Sequence, residues 1–114
     1  CWGYNGYGQL GDGTTTQRLS PASVGGLASA TALSGGGSHT CALISGGTIK
    51  CWGNNGSGQL GDGTVTQRLN PVAVSGVSNA VGVAAAFMGN YTCALSSLGT
   101  AKLSSMRRRP RTGA

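Results

Sequence analysis

The chain states one pattern twice. CWGYNGYGQLGDGTTTQRLSP at residues 1–21 returns as CWGNNGSGQLGDGTVTQRLNP at 51–71, and only Tyr4/Asn54, Tyr7/Ser57, Thr15/Val65 and Ser20/Asn70 differ. A period of about fifty residues belongs to repeat architectures, in which one supersecondary unit cannot bury its apolar face alone and stacks on its neighbour. Residues identical in both copies are therefore expected to serve the repeat unit. Residues that differ are the better candidates for a private role.

Composition narrows the class of that unit. The 114 residues include 22 Gly but only two Asp or Glu in all, with two Trp, three Tyr and one Phe. Such a chain lacks the charge density of a solvated disordered polymer. It reads as a turn-dense protein of thin packed layers. The formal charge of +6 misdescribes the body, because Lys102, Arg107, Arg108, Arg109 and Arg111 supply five of the eight cations. The repeats are nearly neutral and the tail is basic. No apolar run approaches the roughly 20 residues of a membrane helix. The opening Cys in place of Met leads us to expect a fragment or a processed product.

Each copy has a loop half and a strand half. Residues 3–20 are rich in Gly, Asn, Asp and Thr without helical periodicity, the composition of turns. Short β segments follow: 21–24, 30–33, 39–44 and 48–52, and in the second copy 71–74, 80–83, 90–95 and a weaker 100–103. Evenly spaced short strands with turn signals between them predict an all-β assembly. Four strands per repeat is the arithmetic of a propeller blade. The alanine-rich run VGVAAAFM at 81–88 favours helix by propensity, but its alignment with 31–36 assigns it to a strand.

The order CWGxNxxGQLGDGTxTxRxxP, then PxxV, HTCAL, G-T and CWG again, resembles the regulator of chromosome condensation repeat across residues 1–102. It is most similar to the Cys-containing variety of surface-exposed proteins. The resemblance implies a β-propeller, typically of seven four-stranded blades, of which this chain would supply about two. Repeat 1 is expected at 1–50 and repeat 2 at 51–102, with 103–114 a basic, disordered or non-native tail. The pattern calls for Cys-Trp-Gly at 103–105, where the chain has Leu103-Ser104-Ser105. Family members include an exchange factor for a small GTPase on chromatin, parts of ubiquitin ligases and an inhibitor of β-lactamases. Fold therefore does not settle function.

Cys41 and Cys51 flank Ser45-Gly46-Gly47, a three-residue hairpin loop whose register sets the two cysteines opposite each other. Facing Cβ atoms there lie about 4.5–5.5 Å apart, near enough for a twisted hairpin to close a disulfide. Two small buried thiols are the alternative. A disulfide implies an oxidising compartment, hence a secreted, periplasmic or cell-surface protein; without it, a nuclear or cytoplasmic one. By the same spacing Cys93 faces Leu103, and Cys1 faces no residue of the chain, so both are expected free or paired between molecules. Ligand spacing for zinc is absent, and no cofactor is implied.

Several motifs tempt toward chemistry. Residues 6–11 and 56–61 fit G-x-G-x-x-G, but no helix follows to meet a pyrophosphate, so the glycines read as turn residues. His39 and Cys41 share a strand face, yet Cys41 has a better partner in Cys51, and His39 is expected to bond a neighbouring loop. With one His and no Glu there is no acid–base pair, and no enzyme is predicted. Asn55-Gly-Ser57 and Asn90-Tyr-Thr92 are glycosylation sequons. The Arg107–Arg111 cluster suggests nucleic-acid binding as a secondary alternative, without aromatic interleaving to support it.

What remains is binding by the loops. Loops of this length in compact folds carry function or are disordered. Tyr4 and Tyr7 vary between copies and are the preferred specificity residues, since Tyr offers broad contact at low rotamer cost. Gln9, Gln59, Arg18 and Arg68 are the polar groups with reach, and join them as candidate partner-binding residues, although repetition also suits scaffolding. Asp12-Gly13 and Asp62-Gly63 are expected to build their own turns. Trp2 and Trp52 are expected to pack between blades, with partner anchoring as the alternative. The leading expectation is a non-catalytic protein-binding module, with a small-GTPase exchange factor as the rival. Unpaired blade edges would also make the chain prone to self-association.

Overall fold

The computed structural model describes residues 1–87, 90–97 and 101–104, the last four as backbone only. Among the described residues, seven strands form two antiparallel sheets. β1 (Ala30–Gly35), β2 (His39–Ile44), β3 (Thr48–Gly53) and β4 (Arg68–Ala73) make a sheet in sequential order. β5 (Ala80–Ala85), β6 (Thr92–Ser96) and β7 (Ala101–Ser104) make the second. The run at 80–85 is a strand, so its pairing to β6 overrides its helix propensity. No helix among the described residues is long and apolar enough to cross a membrane.

The β2–β3 hairpin turns on Gly46 and Gly47, both with positive φ (99° and 93°), which only glycine adopts without strain. Gly47 is needed for space as well: a Cβ there would lie 2.8 Å from the Asn79 backbone. That turn fixes the register, with Ile44 opposite Thr48 and Cys41 opposite Cys51. The expected disulfide is present, with the two Cα atoms 4.1 Å apart. In the second sheet the same register sets Cys93 opposite Leu103, and β7 continues through Ser104. Cys1 and Cys93 are free, half-buried thiols.

One strand expectation fails. Residues 21–24 form no strand, whereas their counterparts lie in or just beyond β4. The cause is the partner. β4 pairs along β3, whereas the first-copy segment meets Cys1–Gly3, among the described residues, through the Gly3–Arg18 bridge and reciprocal backbone bonds between Cys1 and Ala22.

β5 packs against β1, β2 and β3, so the sheets stack face to face. Their shared core is Cys41, Ile49, Cys51, Leu60 and Ala80, flanked by Leu43, Val72, Val74, Val77, Val83 and Ala94. The junction of the two sequence copies, at residues 50 and 51, falls inside β3. A sheet thus borrows strands from both copies, which covalently ties each repeat into its neighbour's packing.

Candidate partner-binding loops

Each long loop is organised by an asparagine. Asn5 is fully buried; its Oδ1 accepts from Leu10 N (2.9 Å) and its Nδ2 donates to the carbonyls of Thr14 (2.9 Å) and Thr16 (3.0 Å) and to Asp12 Oδ1 (3.2 Å). Asn55 repeats the set at 3.0, 3.1, 3.0 and 3.2 Å. One carboxamide thus closes a turn that has no ladder to satisfy its backbone. The identity of Asn5 and Asn55 beside the variable Tyr4/Asn54 was the signal for this role. Burial with these bonds also excludes Asn55 as a glycosylation acceptor in the folded chain, while Asn90 is exposed.

The aspartates complete the frame. Asp12 Oδ1 accepts from the Thr14 amide (3.0 Å) and hydroxyl (2.6 Å), and Oδ2 accepts from Arg18 Nε (2.8 Å). Asp62 does the same with Thr64 (3.0 and 2.7 Å) and Arg68 (2.9 Å). Hydrogen bonds from Thr14 and then Arg18 hold the Asp12 carboxyl well below the usual range. For Asp62, burial pushes upward, but bonds from Thr64 and Arg68 outweigh it and bring the carboxyl to about 2. Gly13 and Gly63 follow with φ of 82° and 84°.

The candidate contact residues separate into two groups. Tyr4 (65 % exposed) and Tyr7 (40 %) face solvent from the first loop. Arg18 and Arg68 spend one edge of each guanidinium on Asp12 and Asp62 and remain half-exposed. Gln9 Oε1 accepts from Tyr7 N at 2.8 Å. Gln59 is a correction: it is 1 % exposed, with Oε1 bonded to Ser57 N, so it cannot meet a partner. Its Nε2 is the buried side-chain polar atom without a hydrogen-bond partner among the described residues.

The tryptophans also diverge. Trp52 is buried and its Nε1 donates to the Gln9 carbonyl (2.8 Å), which also accepts from Thr40 Oγ1 (2.8 Å). Gly11, with φ of 75°, leaves room for that indole, since a Cβ there would lie 2.6 Å from Nε1. Trp52 thus packs the start of the second copy onto the loop of the first. Trp2 is 65 % exposed, because no described residue stands where the first loop stands against Trp52.

His39 is buried in the seam between sheets, with Nε2 2.8 Å from Thr92 Oγ1 on β6, rather than on a loop. Thr92 Oγ1 in turn donates to the Gln59 carbonyl (2.8 Å). The Thr92 hydroxyl thus bridges His39 Nε2 and the Gln59 carbonyl. Burial lowers the His39 pKa, opposed by a hydrogen bond at the Tyr91 backbone. Cys41, on the same strand as His39, is held in the disulfide with Cys51. The Arg107–Arg111 cluster lies outside the described residues.

Comparison with known proteins agrees with this geometry. The regulator of chromosome condensation (RCC1) repeat matches residues 1–43 and 47–95, and a second model of the same description matches 30–59. Among solved structures, that of human WBSCR16 is similar at 26% identity and a TM-score of 0.76, covering 91% of this chain and 27% of that one. A chain in the structure of Kap60 bound to yeast RCC1 (Prp20) is similar at 23% identity and a TM-score of 0.69, covering 91% and 24%. The chain thus spans about a quarter of the length of each. Comparison with curated proteins gives no match. With the repeat pattern covering most of its length and two stacked antiparallel sheets as its fold, the chain belongs to the regulator of chromosome condensation (RCC1) repeat family and forms part of a β-propeller.

Proposed function

We propose that this chain is a non-catalytic protein-binding module that presents Tyr4 and Tyr7 to a partner protein. The observation that carries the reading is an exposed aromatic pair on a loop whose backbone is already fixed from within. Asn5, Asp12, Thr14 and Arg18 satisfy one another locally, so little loop entropy is lost on binding. Tyr contributes broad contact from two rotatable angles. Kap60 is bound to yeast RCC1 (Prp20) in one of the similar structures, which supports the class of partner but not its identity. The Cys41–Cys51 disulfide supports a secreted, periplasmic or surface setting.

The test uses paired baits. Proteins captured by the wild-type chain are titrated against it and against Tyr4→Asn/Tyr7→Ser, which installs the second copy's residues. The expected result is at least a tenfold loss of affinity with an unchanged melting temperature. Equal affinity overturns the role of the pair. Accelerated nucleotide release from a small GTPase would instead favour the exchange-factor reading.

A further inference from the structure

The asparagine that closes each long loop is followed by glycine: Asn5-Gly6 and Asn55-Gly56 are the two Asn-Gly dipeptides of the chain. In such a pair a backbone amide readily attacks the preceding side chain, because glycine sets no side chain beside its own nitrogen. The Gly N bonds to the Asn Cγ, and the Cγ–Nδ2 bond breaks. The amide proton leaves with the amino group as ammonia. Water then opens the succinimide at one or the other carbonyl, giving isoAsp or Asp.

The fold withholds both reacting groups at residue 55. Asn55 is fully buried, with Oδ1 accepting from Leu60 N at 3.0 Å. Its Nδ2 donates to the carbonyls of Thr64 and Thr66 and to Asp62 Oδ1. Held at both ends, the carboxamide cannot turn its carbon onto the next amide. The Gly56 N–H is engaged as well, donating to Asn54 Oδ1 at 3.1 Å. Asn5 is buried and held by the equivalent bonds of the first loop.

Nothing in the backbone demands glycine at 56. The residue is exposed, its φ is not positive, and a Cβ there would meet only Asn54 Oδ1, at 3.5 Å. Gly58, Gly61 and Gly63 of the same loop all have positive φ. What glycine contributes at 56 is an unshielded amide beside a carboxamide that is protected only while folded.

Conversion would undo the frame. The carboxylate of an aspartate at 55 has no hydrogen for the Thr64 and Thr66 carbonyls. It also sets an oxygen where Nδ2 lies 3.2 Å from Asp62 Oδ1, so two anions meet at a buried site. IsoAsp lengthens the backbone by one atom and displaces every group that follows.

We infer that Asn5 and Asn55 are deamidation sites that the folded loops protect, so that prolonged opening of a loop is converted into irreversible loss of the native chain. The lifetime of the protein is then a rate, set by how often a loop opens. This goes beyond the binding proposal and requires no partner.

Peptide mapping of the full chain, held folded in buffer or unfolded in urea at the same mildly alkaline pH, decides it. Asp and isoAsp should accumulate at 5 and 55 roughly tenfold or more faster in urea. Gly56→Ala supplies an internal control. The substitution fits the fold, so its circular dichroism should match the wild type, and in urea Asn55 should outlast Asn5 of the same molecules. Chains exposed to urea too briefly for conversion should refold fully. After long exposure, those that refold should carry Asn at both positions and the converted ones should stay unfolded. Equal rates of conversion in folded and unfolded chains overturn the inference. So does a Gly56→Ala chain that loses Asn55 as fast as Asn5, a briefly exposed chain that fails to refold, or a refolded fraction as rich in Asp and isoAsp as the unfolded one.

Discussion

Trp2 and Trp52 open the same twenty-one-residue motif, yet one is 65 % exposed and the other fully buried. Leu19 and Leu69 differ in the same direction, 89 % exposed against half-buried. Nothing in their local sequence explains the contrast. Burial here belongs to the neighbouring repeat, as expected where stability is the sum of intrinsic repeat terms and nearest-neighbour interfaces. The loops themselves do not share the contrast. Their Asn–Asp–Arg frames agree bond by bond, because every group in them comes from the same copy.

The sharpest way to break this comparison is to truncate both indoles. Trp52→Ala should cost about 3–5 kcal/mol, the usual loss for a buried aromatic, and strand the Gln9 carbonyl of one of its two donors. Trp2→Ala should change stability by no more than about 0.5 kcal/mol, as for an exposed site. Urea unfolding of dilute protein, followed by circular dichroism, measures both. Equal losses would show that the two copies are not distinguished by their neighbours.

A second contrast lies between the hairpins. Cys41 and Cys51 are joined in the first sheet, and the same register in the second sets Cys93 against Leu103. Replacing both Cys41 and Cys51 by Ala should cost about 2–3 kcal/mol, the chain-entropy value for a short loop. Leu103→Cys should give Cys93 a disulfide partner under air oxidation, seen by non-reducing peptide mapping. If Cys93 and the introduced thiol both stay alkylatable, the β6–β7 pairing does not hold the register of β2–β3.

These hairpins were also the most legible part of the chain. A glycine pair between β-rich segments fixes a register within a dozen residues, so the disulfide followed from spacing. The Asp-Gly turns were readable for the same reason. The inter-repeat clasp was not. Trp52 meets a carbonyl 43 residues away and His39 a hydroxyl 53 residues away, and no local pattern encodes either. Asn5 was passed over because one Asn among turn residues looks like any other until its partners are assembled. Gln59 was misplaced because a polar side chain in a loop suggests exposure, while its loop folds back over the core.

The smallest expected effect separates the seam between sheets from the loop frames by pH. His39 lies between β2 and β6, and burial depresses its pKa, so the folded state favours neutral imidazole. The unfolded chain binds that proton more readily, with a pKa of about 6.5. The stability that His39 contributes is therefore full above that value and declines as pH falls toward the folded pKa. The loop aspartates act lower. Unfolded Asp titrates near 3.9 and Asp62 in the fold at about 2, so the Asp62 contribution persists to about pH 4 and is lost between there and 2, and that of Asp12, held lower still, is lost at more acid pH. The wild-type melting temperature should thus fall in two stages on acidification. His39→Gln, neutral throughout, should remove the first stage and leave the second. Superimposable profiles for the two proteins would show that the seam does not titrate, and would leave the acid sensitivity of the fold with its loops alone.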